Sequence, residues 1–327
     1  MVTIRAYQPS DQKVWDGWIA SSRNHCLLFN RGYMDYHSDR FNDRSLMFFE
    51  DGRLVAVLPA NSEADTFTSH GGLTYGGFVC DRRMTAARML TVFEALAAWL
   101  REASVKTFVY KCLPHIYHEM PCEEDLYALF VHGAELFKRD VSSALFVPHA
   151  QMAAHRLRGA KKSASLGVEI KPFDGYEEFM RMVSQRLEEK YALKVVHTAE
   201  EVRLLAGRFP DAIRLFGAFL AGKLVAGVLV YESRMVAHIQ YLSSNEEGRR
   251  LRAQDLLITH LLTGPYQKTW WFDFGISTED GGAVFNENLF KQKEEYGAYA
   301  LCYDTYRIRV GETARRSVQS RKGVLLC

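Results

Sequence analysis

Two apolar runs joined by a glycine turn occur twice along this chain. Residues 48–58 read FFEDGRLVAVL and residues 218–229 read AFLAGKLVAGVL. Gly52, Arg53, Leu54, Val55 and Ala56 align with Gly222, Lys223, Leu224, Val225 and Ala226 at a constant offset of 170 residues. A glycine at a tight turn between β-prone runs signals a hairpin, and recurrence at fixed spacing signals internal duplication. The flanking patterns repeat in outline. Upstream of the first hairpin a strand at 3–7 precedes helical sequence at 10–21. Upstream of the second, a strand at 168–173 precedes helices at 177–191 and 199–207. Asp174 to Glu177 and Thr198 to Glu201 fit the capping-box pattern, in which a side-chain oxygen and a glutamate each satisfy one orphan amide. Downstream, a helix at 86–103 and a strand at 107–111 follow the first hairpin. A strand at 236–243, a helix at 253–262 and a strand at 270–276 follow the second.

Strands alternating with hairpins and helices predict an α/β (α+β) fold: two tandem domains, each a mixed central sheet flanked by helices. The halves are expected at 1–150 and 151–327, joined near 148–166. There PHAQMAAHRLRGAKKSASLG begins with proline, is helical and basic in the middle, and ends small and polar.

The 327 residues suit two domains, with 48% hydrophobic and 24% charged positions as in an ordinary soluble protein. No signal peptide and no apolar stretch of about 20 residues is visible, so no membrane partner is expected. Six scattered cysteines without Cys-x-x-Cys point to reduced thiols and a cytoplasmic setting. A formal charge of +2 does not demand a nucleic-acid partner.

The second half carries a more specific pattern. The hairpin pair 225–243 is followed by NEEGRRLRAQDLLITHLL, then by WWFDFGIS, then by FKQKEEYGA at 290–298. This order resembles the GNAT superfamily, and in particular the FemABX-like acyltransferases with two GNAT-type domains in one chain. The last segment matches their Lys-x-x-aromatic-Gly signature. The resemblance is good over about 200–310 and only in outline before that. It implies acyl transfer to an amine, with acyl-CoA (acetyl-CoA) as co-substrate gripped at the loop and helix after 243. An amino sugar, small molecule or peptide amine is the implied acceptor. Aminoacyl-tRNA is the alternative donor, and a degenerate binding protein without chemistry is the second alternative. One departure stands out. The usual Gln/Arg-x-x-Gly-x-Gly/Ala loop is here Arg249-Arg-Leu-Arg252-Ala-Gln254, without the internal glycine.

Acyl transfer needs a positioned donor, a proton acceptor and a dipole or cation for the developing oxyanion. The donor site is expected at Leu242, Ser243, Ser244, Gly248, Arg249, Arg250, Arg252 and Ala253. There a turn at Gly248 and a helix start near Arg252 would offer amides and arginines to phosphate. A solvated basic loop balancing Glu246 and Glu247 is the alternative.

The resemblance implies that Lys293 steadies the reacting carbonyl; an exposed helix lysine is the alternative. His238 and Tyr241, three apart on a strand, face opposite sides if the strand is regular, so at most one serves the site. Asp273, a carboxylate within an aromatic strand, is a candidate base or an orienter of Lys293, or else a core ion pair. For the acceptor, His70 and Tyr75 in the glycine-rich run 69–77, Tyr36 in YMDYHSDR and Asn286 are candidates. Turn chemistry and an amphipathic helix end are the alternatives. The cleft between the halves is the expected acceptor site. His115 and His118 lack a third ligand, so no metal is expected. The oligomeric state is open.

Overall fold

The computed structural model of the chain describes residues 1–191, 195–312 and 316. In chain order the first elements are β1 (Val2–Ala6), α1 (Gln12–Ser21), α2 (Arg31–Met34), β2 (Leu46–Glu50), β3 (Arg53–Leu58), β4 (Asn61–Glu63) and β5 (Thr66–Thr68). Then come β6 (Val79–Cys80), α3 (Ala86–Glu102), β7 (Thr107–Lys111), α4 (Glu124–Val131), β8 (Glu135–Phe146), α5 (Ala154–Ser165), β9 (Val168–Pro172), α6 (Tyr176–Tyr191) and α7 (Ala199–Arg208). The chain continues through β10 (Ile213–Leu220), β11 (Lys223–Glu232), β12 (Val236–Ser244), α8 (Glu246–Leu251), α9 (Ala253–Thr263) and β13 (Trp271–Ile276). It ends with β14 (Thr278–Glu279), β15 (Val284–Phe285), α10 (Glu287–Glu294) and β16 (Tyr299–Arg309). The expected mixed α/β class is what the chain adopts.

Two compact units form. The first holds Met1–Asn24, His37–Arg139 and the residues from Tyr303 on; the second holds His25–Tyr36 and Asp140–Cys302. The chain leaves the first unit at residue 25, returns at 37, leaves at 140 and returns at 303, where the sequence suggests a single join near 148–166. That stretch is the helix α5, which packs on α9 within the second unit.

In the first unit β1, β2, β3 and β6 form one sheet, and β7 pairs with β5 in parallel and with the 305–309 part of β16 antiparallel. The five apolar positions of α3 buried at helical spacing, Met89, Val92, Phe93, Leu96 and Leu100, lie in its core. The side chain of Thr85 caps that helix. In the second unit the strand order is β9, β10, β11, β12, β13, β8, with β12 and β13 parallel and the other pairs antiparallel. Its core joins the sheet to α9 through Leu257, Ile258 and Leu261. Thr198 and Glu201 make the anticipated capping box at α7.

The echo in the sequence is an echo in the backbone. Both hairpin turns place two consecutive residues in the left-handed region: Asp51 (φ 50°) with Gly52 (76°), and Ala221 (48°) with Gly222 (78°). Such turns match the twist of the strands they join. Both hairpins also carry a bulge at the same offset. Phe48 pairs with Ala56 and Phe49 with Leu54; Ala218 pairs with Ala226 and Phe219 with Leu224. Val55 and Val225 are the extra residues.

Candidate active site

The parallel register of β12 and β13 runs through Val236–Trp271 and Ala237–Phe272 and stops at His238–Asp273. Beyond that vertex a cavity of about 450 Å³ lies in the second unit. Its wall includes Ile239, Tyr241, Leu242, Ser243 and Ser244 of β12, Phe274 and Ile276 of β13, and Arg186 of α6. Arg249 of α8, Gln254 of α9, and Lys293 and Tyr296 at the end of α10 complete it.

Lys293 is 7% exposed. Its ammonium donates to Gly275 O (2.7 Å), Ile276 O (2.8 Å) and Ser277 Oγ (2.8 Å). All three protons are therefore held at the end of β13. Burial lowers its pKa to about 8, and the nearby Asp273 charge opposes that fall. The alternative of an exposed helix lysine does not describe it. The rest of the signature is structural. Tyr296 stacks on Phe274 (5.6 Å between centroids) and donates to Asp255 Oδ1 at 2.8 Å. Gly297 has φ 93°, and a Cβ there would sit 2.8 Å from Gln151 O.

Asp273 is fully buried and faces His238. Its Oδ2 meets His238 Nδ1 at 2.8 Å, while Oδ1 accepts from Ser142 Oγ (2.7 Å) and the Gly275 amide (3.0 Å). These bonds compensate burial of the carboxylate. Neither residue lines the cavity wall; they mark where the strands last pair.

His238 and Tyr241 do not face opposite sides. Opposite them on β11 stand Tyr231 and Leu229, two residues apart, because a bulge at Gln240 adds one residue to β12. The extra residue reverses the count of alternation, so both side chains share a face. Tyr241 meets His197 Nδ1 at 2.8 Å.

The donor segment departs from expectation in detail. Residues 246–251 are a short helix whose amide at Gly248 is capped by Asn245 Oδ1 at 2.8 Å. Gly248 does not make a turn: a Cβ there would fall 2.0 Å from Val225 O, so glycine permits α8 to press on β11. Arg252 lies in the left-handed region (φ 62°, ψ 31°) between α8 and α9. At the place of the pattern's glycine, Arg252 thus takes a backbone shape that glycine adopts readily. Holding arginine there costs roughly 1–2 kcal/mol, and ion pairing of the Arg252 guanidinium with buried Asp255 offsets the cost.

Of the three arginines only Arg249 lines the cavity, its Nη1 on Ser244 O at 2.9 Å. Arg250 is exposed beside Glu247, and Ala253 is buried in the core. Arg186, Gln254 and Gln292 reach the cavity without a sequence signal that singles them out.

The acceptor candidates scatter. Tyr36 belongs to the second unit and stacks on His197 (5.9 Å). Asn286 caps α10 through Leu289 N (3.1 Å) and donates to Glu279 (3.0 Å). His70 and Tyr75 belong to the first unit. His70 is buried against His37 (5.3 Å) and Tyr75 against Tyr117 (4.7 Å). Their glycine-rich run packs closely: a Cβ on Gly76 would meet Ser69 O at 1.9 Å. Among the described residues no three His, Cys, Asp or Glu side chains come together as a metal ligand set, and no helix is long and apolar enough to cross a membrane.

Residues 150–282 match the family model described as an acetyltransferase (GNAT) domain. The fold is similar to FemX, with a TM-score of 0.66 and 9% identity over 92% of this chain and 96% of that one. It is similar to L-PGS from Bacillus licheniformis (TM-score 0.60, 11% identity, 94% of each chain). It is also similar to a tandem GNAT protein from the clavulanic acid biosynthesis pathway (TM-score 0.51, 12% identity, 96% of this chain and 100% of that one). The sequence matches no curated protein. At such identities the structural likeness is one of fold, and the family match rests on the second unit, where the strands part over a cavity. The second unit thus carries the likeness to the GNAT domain family.

Proposed function

We propose that this protein is an N-acyltransferase that passes an acyl group from acyl-CoA to the amine of a small molecule, amino sugar or peptide. The observation that carries this reading is the cavity opened where β12 and β13 part at His238–Asp273, with cations at its wall. A strand that loses its neighbour leaves a row of peptide groups for an extended, amide-bearing donor arm. Arg186, Arg249 and Gln254 supply donors for phosphate near the start of α9, whose first amides favour an anion.

In the reaction the amine attacks the acyl carbon, the C–N bond forms and the C–S bond breaks. One proton passes from the amine to the departing thiolate. Lys293 acts as a fixed cation beside the developing oxyanion; its three protons already rest on protein oxygens, so its field rather than a free donor does the stabilising. Asp273 aligns the His238 ring at the vertex and lends charge to Lys293.

A second reading, aminoacyl-tRNA as donor, is favoured by one observation: Gln254 puts a side chain at the position of the loop's last small residue. Melting temperatures with CoA, acetyl-CoA, longer acyl-CoAs and charged tRNA separate the readings, since only a ligand preferring the folded state raises them. A rise with acyl-CoA supports the proposal. A salt-steep rise with charged tRNA and none with CoA replaces the donor. No rise and no transfer with any donor leaves a binding protein without chemistry.

A further inference from the structure

Tyr241 is one of two phenols on the cavity wall, beside Tyr296, and its oxygen meets His197. Polar groups at His197, Gln240 and Val196 act to lower its pKa. Yet burial outweighs them and holds the phenol above its ordinary pKa, with Glu201 adding to the rise. A protonated phenol takes up a proton only by giving its own away. The neighbour able to receive its proton is His197 Nδ1 at 2.8 Å. That imidazole is 5% exposed and its plane is set by Tyr36, stacked at 5.9 Å and 23°. Tyr36 is in turn braced edge-on by Tyr33, and Tyr33 by Tyr231. Around the pair stand the titratable groups of four elements: Tyr33 of α2, Tyr231 of β11, Glu201 of α7 and the segment at Tyr36.

We propose that His197 is a positioning residue that holds the proton behind Tyr241, so that the Tyr241–His197 pair, and not His238–Asp273, handles the amine proton during acyl transfer. This rests on the acyltransferase reading. As the amine attacks, its proton moves to Tyr241 Oη while the phenolic proton moves to His197 Nδ1. The same path returns one proton to the departing thiolate, and both side chains end as they began. Proton handling of this kind contributes about 10²–10⁴-fold.

The experiment compares wild type with His197→Ala, His197→Asn, Tyr241→Phe, the His197→Ala/Tyr241→Phe double variant and His238→Gln. It reads kcat, KM for the donor, and the pH profile. His197→Asn keeps a hydrogen-bonding group near the Nδ1 position but cannot store a proton. The expected result is a fall in kcat of about 10²-fold or more for both His197 variants, with donor KM within about threefold. The acidic limb of kcat/KM should disappear with it, and the double variant should be no worse than Tyr241→Phe, as for residues acting as one unit. Circular dichroism and the donor-induced rise in melting temperature check that each variant folds and binds. Full rescue by His197→Asn overturns proton storage. An acidic limb that survives in the His197 variants and vanishes in His238→Gln moves the proton to the other pair and overturns the proposal. Wild type without turnover on any donor overturns the acyltransferase reading and this proposal together.

Discussion

The two units share a hairpin down to the position of its bulge and differ at the next strand pair. In the second unit the strands part over an open cavity lined by Lys293 and Arg249. In the first unit the corresponding strands are β6, two residues long, and β7. Between them the Tyr110 hydroxyl accepts from the Phe78 amide at 2.8 Å and donates to Asp125 at 2.5 Å. Phe78 packs on Phe93 at 5.2 Å and on Tyr110 at 6.1 Å. Gly77 has no room for a Cβ, which would lie 2.8 Å from the Tyr110 hydroxyl. At this strand pair the first copy is filled with aromatic rings and the second is left hollow. A hollow loses contacts that a filled core keeps, so parting the strands costs packing in the second unit.

Each unit also holds a lysine on three oxygens. Lys111 Nζ bonds His70 O, Gly71 O and Leu73 O, bracing the glycine-rich run, whereas Lys293 braces the end of β13 beside the cavity. The same bonding serves a packed turn in one place and places a cation at a site in the other.

Four substitutions press on this contrast. The largest effect is expected from Lys293→Met, which removes the cation of the hollow copy. Turnover should fall about 10²–10³-fold, as for loss of one oxyanion-stabilising group, measured as kcat with the best donor. The same variant has a stability signature. Because the folded-state pKa of Lys293 is lowered from 10.5 to about 8, the unfolded chain binds more protons between those values. The stability of wild type relative to Lys293→Met should therefore rise from pH 8 toward 10.5, as read by denaturant unfolding. A flat difference would mean that the ammonium is well solvated.

Next is Tyr110→Phe in the filled copy. It leaves the Phe78 amide and the buried Asp125 carboxyl without their shared partner, a cost of about 1–3 kcal/mol, measured by the same unfolding. Acyl transfer at a permissive temperature should be unchanged; a loss there would mean that the filled unit takes part in the chemistry.

The smallest effect is expected from Arg252→Gly. Relief of the left-handed arginine and loss of its pairing with Asp255 oppose each other, so stability should shift by less than about 1 kcal/mol. Donor binding, read by calorimetry, should hold within about threefold, whereas Arg249→Ala should weaken it about tenfold.

Much of this architecture is legible in the residues. The Asp51-Gly52 and Ala221-Gly222 turns, Thr85 and Thr198 at helix starts, and the helical spacing on α3 are local signals with local causes. Two kinds of feature are not. The first is pairing between distant segments: no property of residues 25–36 or of those after Tyr303 announces which unit they join. The second is a change of parity. Counting faces along 236–244 assumes an unbroken strand, and the bulge at Gln240 is invisible to the count. The site follows the same division. Lys293, Tyr241, Ser243, Ser244 and Arg249, all named from the sequence, line the cavity. His197 carries no motif, and its place beside Tyr241 depends on a fold that brings residues 44 positions apart together.

Arg252 bears on how such chains are found. Its dihedral angles are enforced by anchors on both sides, the pairing to Asp255 and the seating of Gly248 on Val225, so the bend outlives the amino acid that normally makes it. A search template that insists on glycine at that place will pass over chains that take the same left-handed turn with another residue. Screening for a cation able to reach an acidic residue three positions later would recover them.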